Sequence, residues 1–513
     1  MAKRWKRIAA AAVAAALAVG CAGGKSSGPG DQNGGKILTI TLDGAQGRQA
    51  ELQAVAGYLK QIGVDAQVRV WEYNTLVEEA KAGSRDAYAT DWGSSTFSPF
   101  DLAIPKLKTG DRGNYSHYSS AELDELFDLA STSVDEGEAK NAYFRAQEII
   151  YQDAPWIFGY YRDTIEANSV KVKNWKPAVD GRINLHKVSL EGGDTLVVGL
   201  RADRILSLDP ANYRDRETET VIRNMFDGLV TRTPEGEVKP ELAESWETPD
   251  ALTYVFHLRK GVTFHNGEPL TADDVVFTFN RILAPDGING QPSPRQGLLG
   301  PLSSVEKVDD YTVKMNLSSP SPVFLQLLVH TQIIPEEYYN QVGFEGFSAN
   351  PVGAGPFRFA GGSLDTEISL ERYDDYWDGA PPLKKVVFRM MPEPASRIAA
   401  LKAGEVHIIQ EVAPDSTQLL EEDPNVQVQV AEGTRLYMIE LNTQRISDPR
   451  VRQALNYAVN WDEILQELYG GYAHRVSTAM LPSGFGYHDG LTPYPYDPDK
   501  ARELLKEAGY AVK

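Results

Sequence analysis

His186-Lys187-Val188-Ser189-Leu190-Glu191-Gly192-Gly193-Asp194-Thr195-Leu196-Val197-Val198-Gly199 is the stretch on which the reading of this chain turns. A polar lead with paired glycines runs into an alternating apolar segment, the pattern of a first β-strand after a flexible tether. Yet it lies deep inside a chain of 513 residues, with a full run of α/β pattern before it. The stretch therefore reads as a joint between two segments, with residues 184–193 as the bridge.

Before the joint, residues 37–42 have the composition of a buried strand. Residues 46–62 carry Leu52, Val55, Ala56, Leu59 and Ile62 at helical spacing, ending at Gly63. Val64, Ala66, Val68 and Val70 alternate as a second strand, which completes a βαβ unit. A helix over 75–82, a strand over 87–92, a helix capped by Ser120 and another over 138–152 follow. Pro155 then precedes an aromatic strand over 156–161. After the joint, a helix is expected through Val221, Ile222, Met225 and Phe226, and Thr271 caps one that runs to Ile282. Asp448-Pro449 opens what reads as one long helix, with Val451, Ala454, Leu455, Ala458 and Val459 on its apolar face and a stop at Gly470-Gly471. Asp497-Pro498 opens the last helix, closing at Gly509.

Length points to more than one core, and a hydrophobic content of 42% points to a folded chain. The formal net charge of -20 argues against a nucleic-acid partner and against attraction to anionic lipid. Membrane contact is expected through one anchor only. Lys3, Arg4, Lys6 and Arg7 precede an apolar run over 8–19, too short to span a bilayer, that ends in Leu17-Ala18-Val19-Gly20-Cys21. This resembles a lipobox, so residues 1–20 are expected to be a lipoprotein signal peptide and Cys21 the lipidated residue. Residues 21–35, rich in Gly and Ser, then read as a flexible tether. Cys21 is the only cysteine, which excludes a disulfide within the chain. There is no GxSxG or HExxH, and the eight histidines are scattered, so neither catalysis nor a metal or cofactor is expected. Asp374 and Asp375 read as a solvated turn.

Several blocks resemble one family, the peptide/nickel-type (family 5, cluster C) extracellular solute-binding proteins that feed ABC importers. They are 240–246, 254–279, 351–357, 400–406, Leu441-Asn442-Thr443, 448–459 and 497–509. Residues 36–175 have the character of that family's C-terminal part. In the family, a helix like 497–510 leads directly into a strand like 37–42; here the chain ends with the former and begins with the latter. The resemblance therefore implies a circular permutation joined at 184–193, set against a fusion of two fragments or a gene-model artefact. It implies an α/β, two-lobed fold of the periplasmic-binding-protein type II kind with an extra subdomain, the cut falling within the second lobe. The expected parts are 36–159 and 434–513 for the second lobe, 160–226 and 351–433 for the first, and 227–350 for the extra subdomain.

By resemblance the chain is a monomeric receptor, not an enzyme, that holds a small solute between its lobes and passes it to ABC permease subunits. A peptide is the leading ligand. The alternatives are a sensory or chemotactic receptor with the same cleft and a non-peptide solute such as a sugar or metal complex. The loop Asp91-Trp92-Gly93-Ser94-Ser95-Thr96-Phe97-Ser98-Pro99 resembles the family's ligand loop, in which an acidic residue three positions after the Trp takes a peptide's α-ammonium. Ser95 holds that position, and a neutral hydroxyl cannot supply the charge-assisted bond. Ligand contacts are expected from Trp92, Ser95, Thr96 and Asp91, and also from Arg435 and Tyr437, where the second lobe resumes. Tyr213 and Arg214 are expected from the first lobe, and Phe485 and Tyr487 from a glycine-rich loop.

Overall fold

The structure, a computed structural model, describes residues 36–94, 96, 98–99, 101–133 and 135–512. The signal segment, Cys21, the 21–35 tether and Ser95 lie outside the described residues.

The segments on either side of the joint are interleaved in both main sheets. One sheet has six strands in the order Asp65–Trp71, Thr39–Ala45, Ala87–Gly93, Arg435–Leu441, Trp156–Arg162, Ala473–Arg475. Four of these come from before the joint and two from after it, so neither segment completes the sheet alone. Leu52, Val55 and Leu59 of helix Gln49–Gln61, Ala454 and Leu455 of helix Pro449–Tyr457, and Leu505 of helix Pro498–Glu507 pack on one face of this sheet. Helices Ala121–Thr132 and Glu136–Asp153 cover the other.

The second sheet has seven strands: Phe357–Ser363, Glu367–Arg372, Lys385–Met390, Thr195–Leu200, Ile408–Ile409, Thr164–Ser169, Val426–Ala431. A separate antiparallel sheet of four strands, Ala243–Asp250, Thr253–Leu258, Thr312–Leu317 and Leu302–Asp309, forms the extra subdomain with helix Ala272–Leu283. That helix begins with a capping box between Thr271 and Asp274. The architecture is thus two α/β lobes with an additional layer on the first.

Several expectations need adjustment. The first strand starts at Thr39, and Ile37 is 59% exposed. The helix after the joint is short, Arg216–Ile222, with Met225 and Phe226 buried beyond its end. The single long helix after Asp448 is two, Pro449–Tyr457 and Trp461–Tyr469, because the Asn460 side chain accepts from the Glu463 N–H and starts a new helix. The apolar stripe runs unbroken across this break, with Ala458, Val459 and Trp461 all buried, so periodicity alone does not reveal it.

The joint is also not a loose tether. Leu185 and Val188 are buried, and Ser189–Leu190 pairs with Val172–Lys173. The Leu185 N–H donates to Asn224 Oδ1 at 3.0 Å, and His186 Nε2 donates to the Gly379 carbonyl at 3.0 Å. At the far ends of the described chain, Lys36 and Tyr510 form a parallel bridge, and the Ala511 N–H donates to the Lys36 carbonyl at 3.1 Å.

Candidate functional site

The parallel strands of each lobe end at a common edge. In the first lobe, Thr195–Leu200, Lys385–Met390 and Ile408–Ile409 run together and end there, while antiparallel Thr164–Ser169 begins there. In the second, Thr39–Ala45, Asp65–Trp71 and Ala87–Gly93 end at the corresponding edge, where Trp156–Arg162 also ends and Arg435–Leu441 begins. The chain passes between the lobes twice, at Asp163 and at residues 432–434, and both crossings leave from these edges. Strand 156–162 runs past Gly159, so the first crossing follows Arg162. Carboxyl-terminal strand ends are where open α/β sheets present loops and backbone groups to ligands.

The crossings are pressed together. A Cβ at Gly433 would lie 1.8 Å from the Arg162 carbonyl oxygen, closer than any side chain permits. Asp163 is fixed by its N–H, which donates to the Tyr472 carbonyl at 3.1 Å, and by its carboxylate, 2.7 Å from His474 Nε2.

On the second-lobe edge, the Tyr160 and Tyr437 rings stack at 5.0 Å, and Arg162 both donates to the Tyr437 hydroxyl and covers its ring at 4.4 Å. Arg48 lies over the same ring at 5.3 Å and is held by Glu51 through bonds of 2.7 and 2.6 Å. Burial opposes the charge on Arg48, but Glu51 more than offsets this and holds the guanidinium above its ordinary range. Glu51 also accepts from the Tyr160 hydroxyl at 2.9 Å. Arg435, exposed, is ion-paired with Asp91 on the neighbouring strand.

On the first-lobe edge, Arg201 pairs with Glu411 at 2.5 Å and lies 3.8 Å from Glu217. Glu411 has φ of 48°, a left-handed conformation unfavourable for a residue with a Cβ. Buried Arg397 holds this turn, donating to the carbonyls of Met391, Pro392, Gln410 and Glu411. Arg216 lies beside Gly181 on the same lobe.

The structure brings together only some of the sequence candidates. Asp91, Arg435 and Tyr437 share one face at the strand ends. Trp92 points to the opposite face, where its Nε1–H donates to the Asp101 carbonyl at 2.8 Å and its ring is flanked by Lys106 and Arg112. Lys106 is fully buried and ion-paired with Glu440, which also accepts from Tyr88 at 3.2 Å. Burial pushes the lysine down and the carboxyl up, each opposed by attraction to the other. Thr96 is buried, and its N–H donates to Asp101 Oδ2 at 2.9 Å. Asp101 Oδ1 accepts from Ser94 at 2.6 Å, so this loop carboxylate is turned onto its own loop.

Tyr213 is not on the cleft. It is 1% exposed and packed under Arg295 at 4.2 Å, inside the first lobe, because its ring fills the core beside helix Arg216–Ile222. Arg214 next to it is exposed. Phe485 meets Tyr143 edge-on at 6.1 Å and, with Tyr487, packs on the helix-covered face of the second lobe. Phe485 also lines a space of about 520 Å³ between the second lobe, through Glu136, and the extra subdomain, through Asp250 and Tyr254. That space lies apart from the strand-end groups and marks where the lobes meet rather than where the charged groups gather.

Sequence reasoning passed over Arg48, Glu51, Arg162, Arg201 and Glu411. Arg162 carried a signal: it is the cation that ends an apolar aromatic strand just before the chain changes sheets. Among the described residues no group of three His, Cys, Asp or Glu is placed to hold a metal ion, and no helix is long and apolar enough to cross a membrane.

Two α/β lobes are thus joined by paired crossings, with polar groups gathered at the strand ends. Residues 237–513, more than half of the chain, match the family described as bacterial extracellular solute-binding proteins, family 5 middle. The chain belongs to that family. It is 37% identical over 298 residues to heme-binding protein A of Haemophilus influenzae, covering 53% of this chain and 54% of the relative. It is 35% identical over 295 residues to the dipeptide-binding protein of Escherichia coli K12, covering 53% and 55%. The solved structure of HbpA2 from Haemophilus parasuis superimposes with a TM-score of 0.56 at 30% identity, over 62% of this chain and 67% of that one. The matches thus span about half the length of the curated relatives.

Proposed function

We propose that this protein is an extracytoplasmic receptor that captures a small organic solute between its lobes and delivers it to an ABC importer. It is held to the membrane through lipidated Cys21 and works as a monomer without catalytic turnover. A peptide is the leading ligand class, supported by the likeness to a dipeptide-binding protein. The observation that carries this reading is the pair of strand-end edges from which both crossings, at Asp163 and Gly433, leave. Such paired crossings serve as a hinge, and closure around a ligand removes it from water and strengthens its polar contacts.

The reading includes the chain order. Residues 184–193 are a joint, and the family's blocks stand here in rotated sequence. Support comes from the family match beginning only at residue 237, from strands before the joint completing a sheet begun after it, and from the bridge between Lys36 and Tyr510.

The test is mass spectrometry under native and denaturing conditions, after incubation of the protein with casein hydrolysate. A released solute, with masses spaced by amino-acid residues, is the expected result. A protein that retains nothing from the pool contradicts solute capture.

A further inference from the structure

Resting on the solute-binding reading, we infer that the cleft selects an anionic ligand, a solute whose carboxylate or phosphate oxygens sit against Arg162 and Arg435. Strand register places Tyr160 opposite Tyr437 and Tyr161 opposite Leu436. Alternation then puts Arg162 and Arg435 on one face, side by side at the ends of neighbouring strands. Both are exposed. Arg48 is the third guanidinium of the group, lying over the Tyr437 ring.

The countercharges in this group are Glu51, committed to Arg48, and Asp91, committed to Arg435. Three guanidiniums against two carboxylates leave one positive charge, in a chain whose formal net charge is -20. That charge falls to Arg162. Among the described residues its one protein hydrogen bond goes to the Tyr437 hydroxyl, and no carboxylate lies within ion-pair distance of it. A guanidinium has five N–H donors, so most of its capacity is open.

The other acids at the crossings are turned elsewhere: Asp163 lies against His474, and Glu432, beside Tyr161, accepts from the Ser483 N–H. Asp101 is bonded within its own loop. Across the cleft, Glu411 and Glu217 both face Arg201. Closure of the lobes would take water from Arg162, and burying an unpaired cation costs free energy. A ligand that brings an oxyanion removes that cost and gains charge-assisted bonds of the forked kind guanidinium makes. A ligand presenting an ammonium at this edge meets uncompensated positive charge. Closure itself therefore becomes the selective step.

The experiment uses the full-length protein and a mixed pool of casein hydrolysate and yeast-extract metabolites, with retained species identified by mass spectrometry. Wild type, Arg162→Gln and Asp91→Asn are compared, each first checked for an unchanged thermal transition. Wild type is expected to retain species carrying a carboxylate or phosphate. Retention should fall at least about tenfold in Arg162→Gln and rise in Asp91→Asn, which frees Arg435. Prior phosphatase treatment separates the two oxyanions: retention that survives assigns carboxylate, and retention that is lost assigns phosphate. Retained species that are cationic, or that Arg162→Gln holds equally well, overturn the inference and leave solute capture standing. If wild type retains nothing, solute capture fails and the inference falls with it.

Discussion

Lys106 shows how much a single buried charge can decide in this protein. Its ammonium is enclosed by Glu440, the Tyr115 ring at 4.3 Å and the Trp92 ring at 5.1 Å. Replacing it with methionine leaves Glu440 buried without a countercharge, and Lys106→Met is expected to cost about 3–5 kcal/mol in urea unfolding. Lys106→Met combined with Glu440→Leu should recover most of that, because both charges are then gone; a double variant no more stable than the single one would contradict the account. His265 offers a second test at this scale. Gly353 N–H donates to its Nδ1 at 3.2 Å and its Nε2–H donates to the Gly355 carbonyl at 3.0 Å, so the neutral ring staples the turn before strand Phe357–Ser363. Burial pushes its pKa down from 6.5 to about 4. A group whose folded pKa is depressed contributes stability that is present above the unfolded pKa and lost as pH falls through the folded one. Wild type should therefore lose up to about 3 kcal/mol more than His265→Gln between pH 6.5 and 4. Parallel pH profiles for the two would contradict this.

At the scale of elements, the proposed hinge is tested at Gly433. Any side chain there meets the Arg162 carbonyl, so Gly433→Ala must part the two crossings. The expected cost is roughly 1–3 kcal/mol, together with weaker ligand binding, read by thermal denaturation and by retention from a solute pool. Unchanged retention in a folded Gly433→Ala protein would argue against a hinge at this point. Elements were also where the sequence was most and least legible. Helix Gln49–Gln61 could be read because it buries one face, and burial of one face writes a period into the chain; strand Thr39–Ala45 could be read from its run of apolar and β-branched residues. The break at Asn460 could not, because Ala458, Val459 and Trp461 stay apolar across it. Tyr213 reads the same whether its ring faces the cleft or the core, and only packing under Arg295 decides. The Arg162–Tyr437 contact joins positions 275 apart in sequence, which no local pattern can reveal.

At the scale of the whole molecule, chain order and architecture can be separated experimentally. Because Lys36 and Tyr510 are already bridged, joining Lys513 to Lys36 and opening the chain before Gly192 should leave both sheets intact. The rejoined protein is expected to unfold at a similar temperature to the present order. A rejoined chain that fails to fold, while the present order folds, would contradict the rotated reading.

The central claim is that the lobes close around a solute, and the most direct measurement is the distance between them. Spin labels at Glu136→Cys on the second lobe and Ala251→Cys on the extra subdomain flank the space where the lobes meet, and Cys21→Ser leaves these two as the only cysteines. Double electron–electron resonance would then read that distance with and without retained solute. The account predicts a longer, broader distribution in the solute-free protein that collapses to a single shorter one when solute is bound. One unchanged distance, recorded while mass spectrometry shows the solute bound, would contradict it.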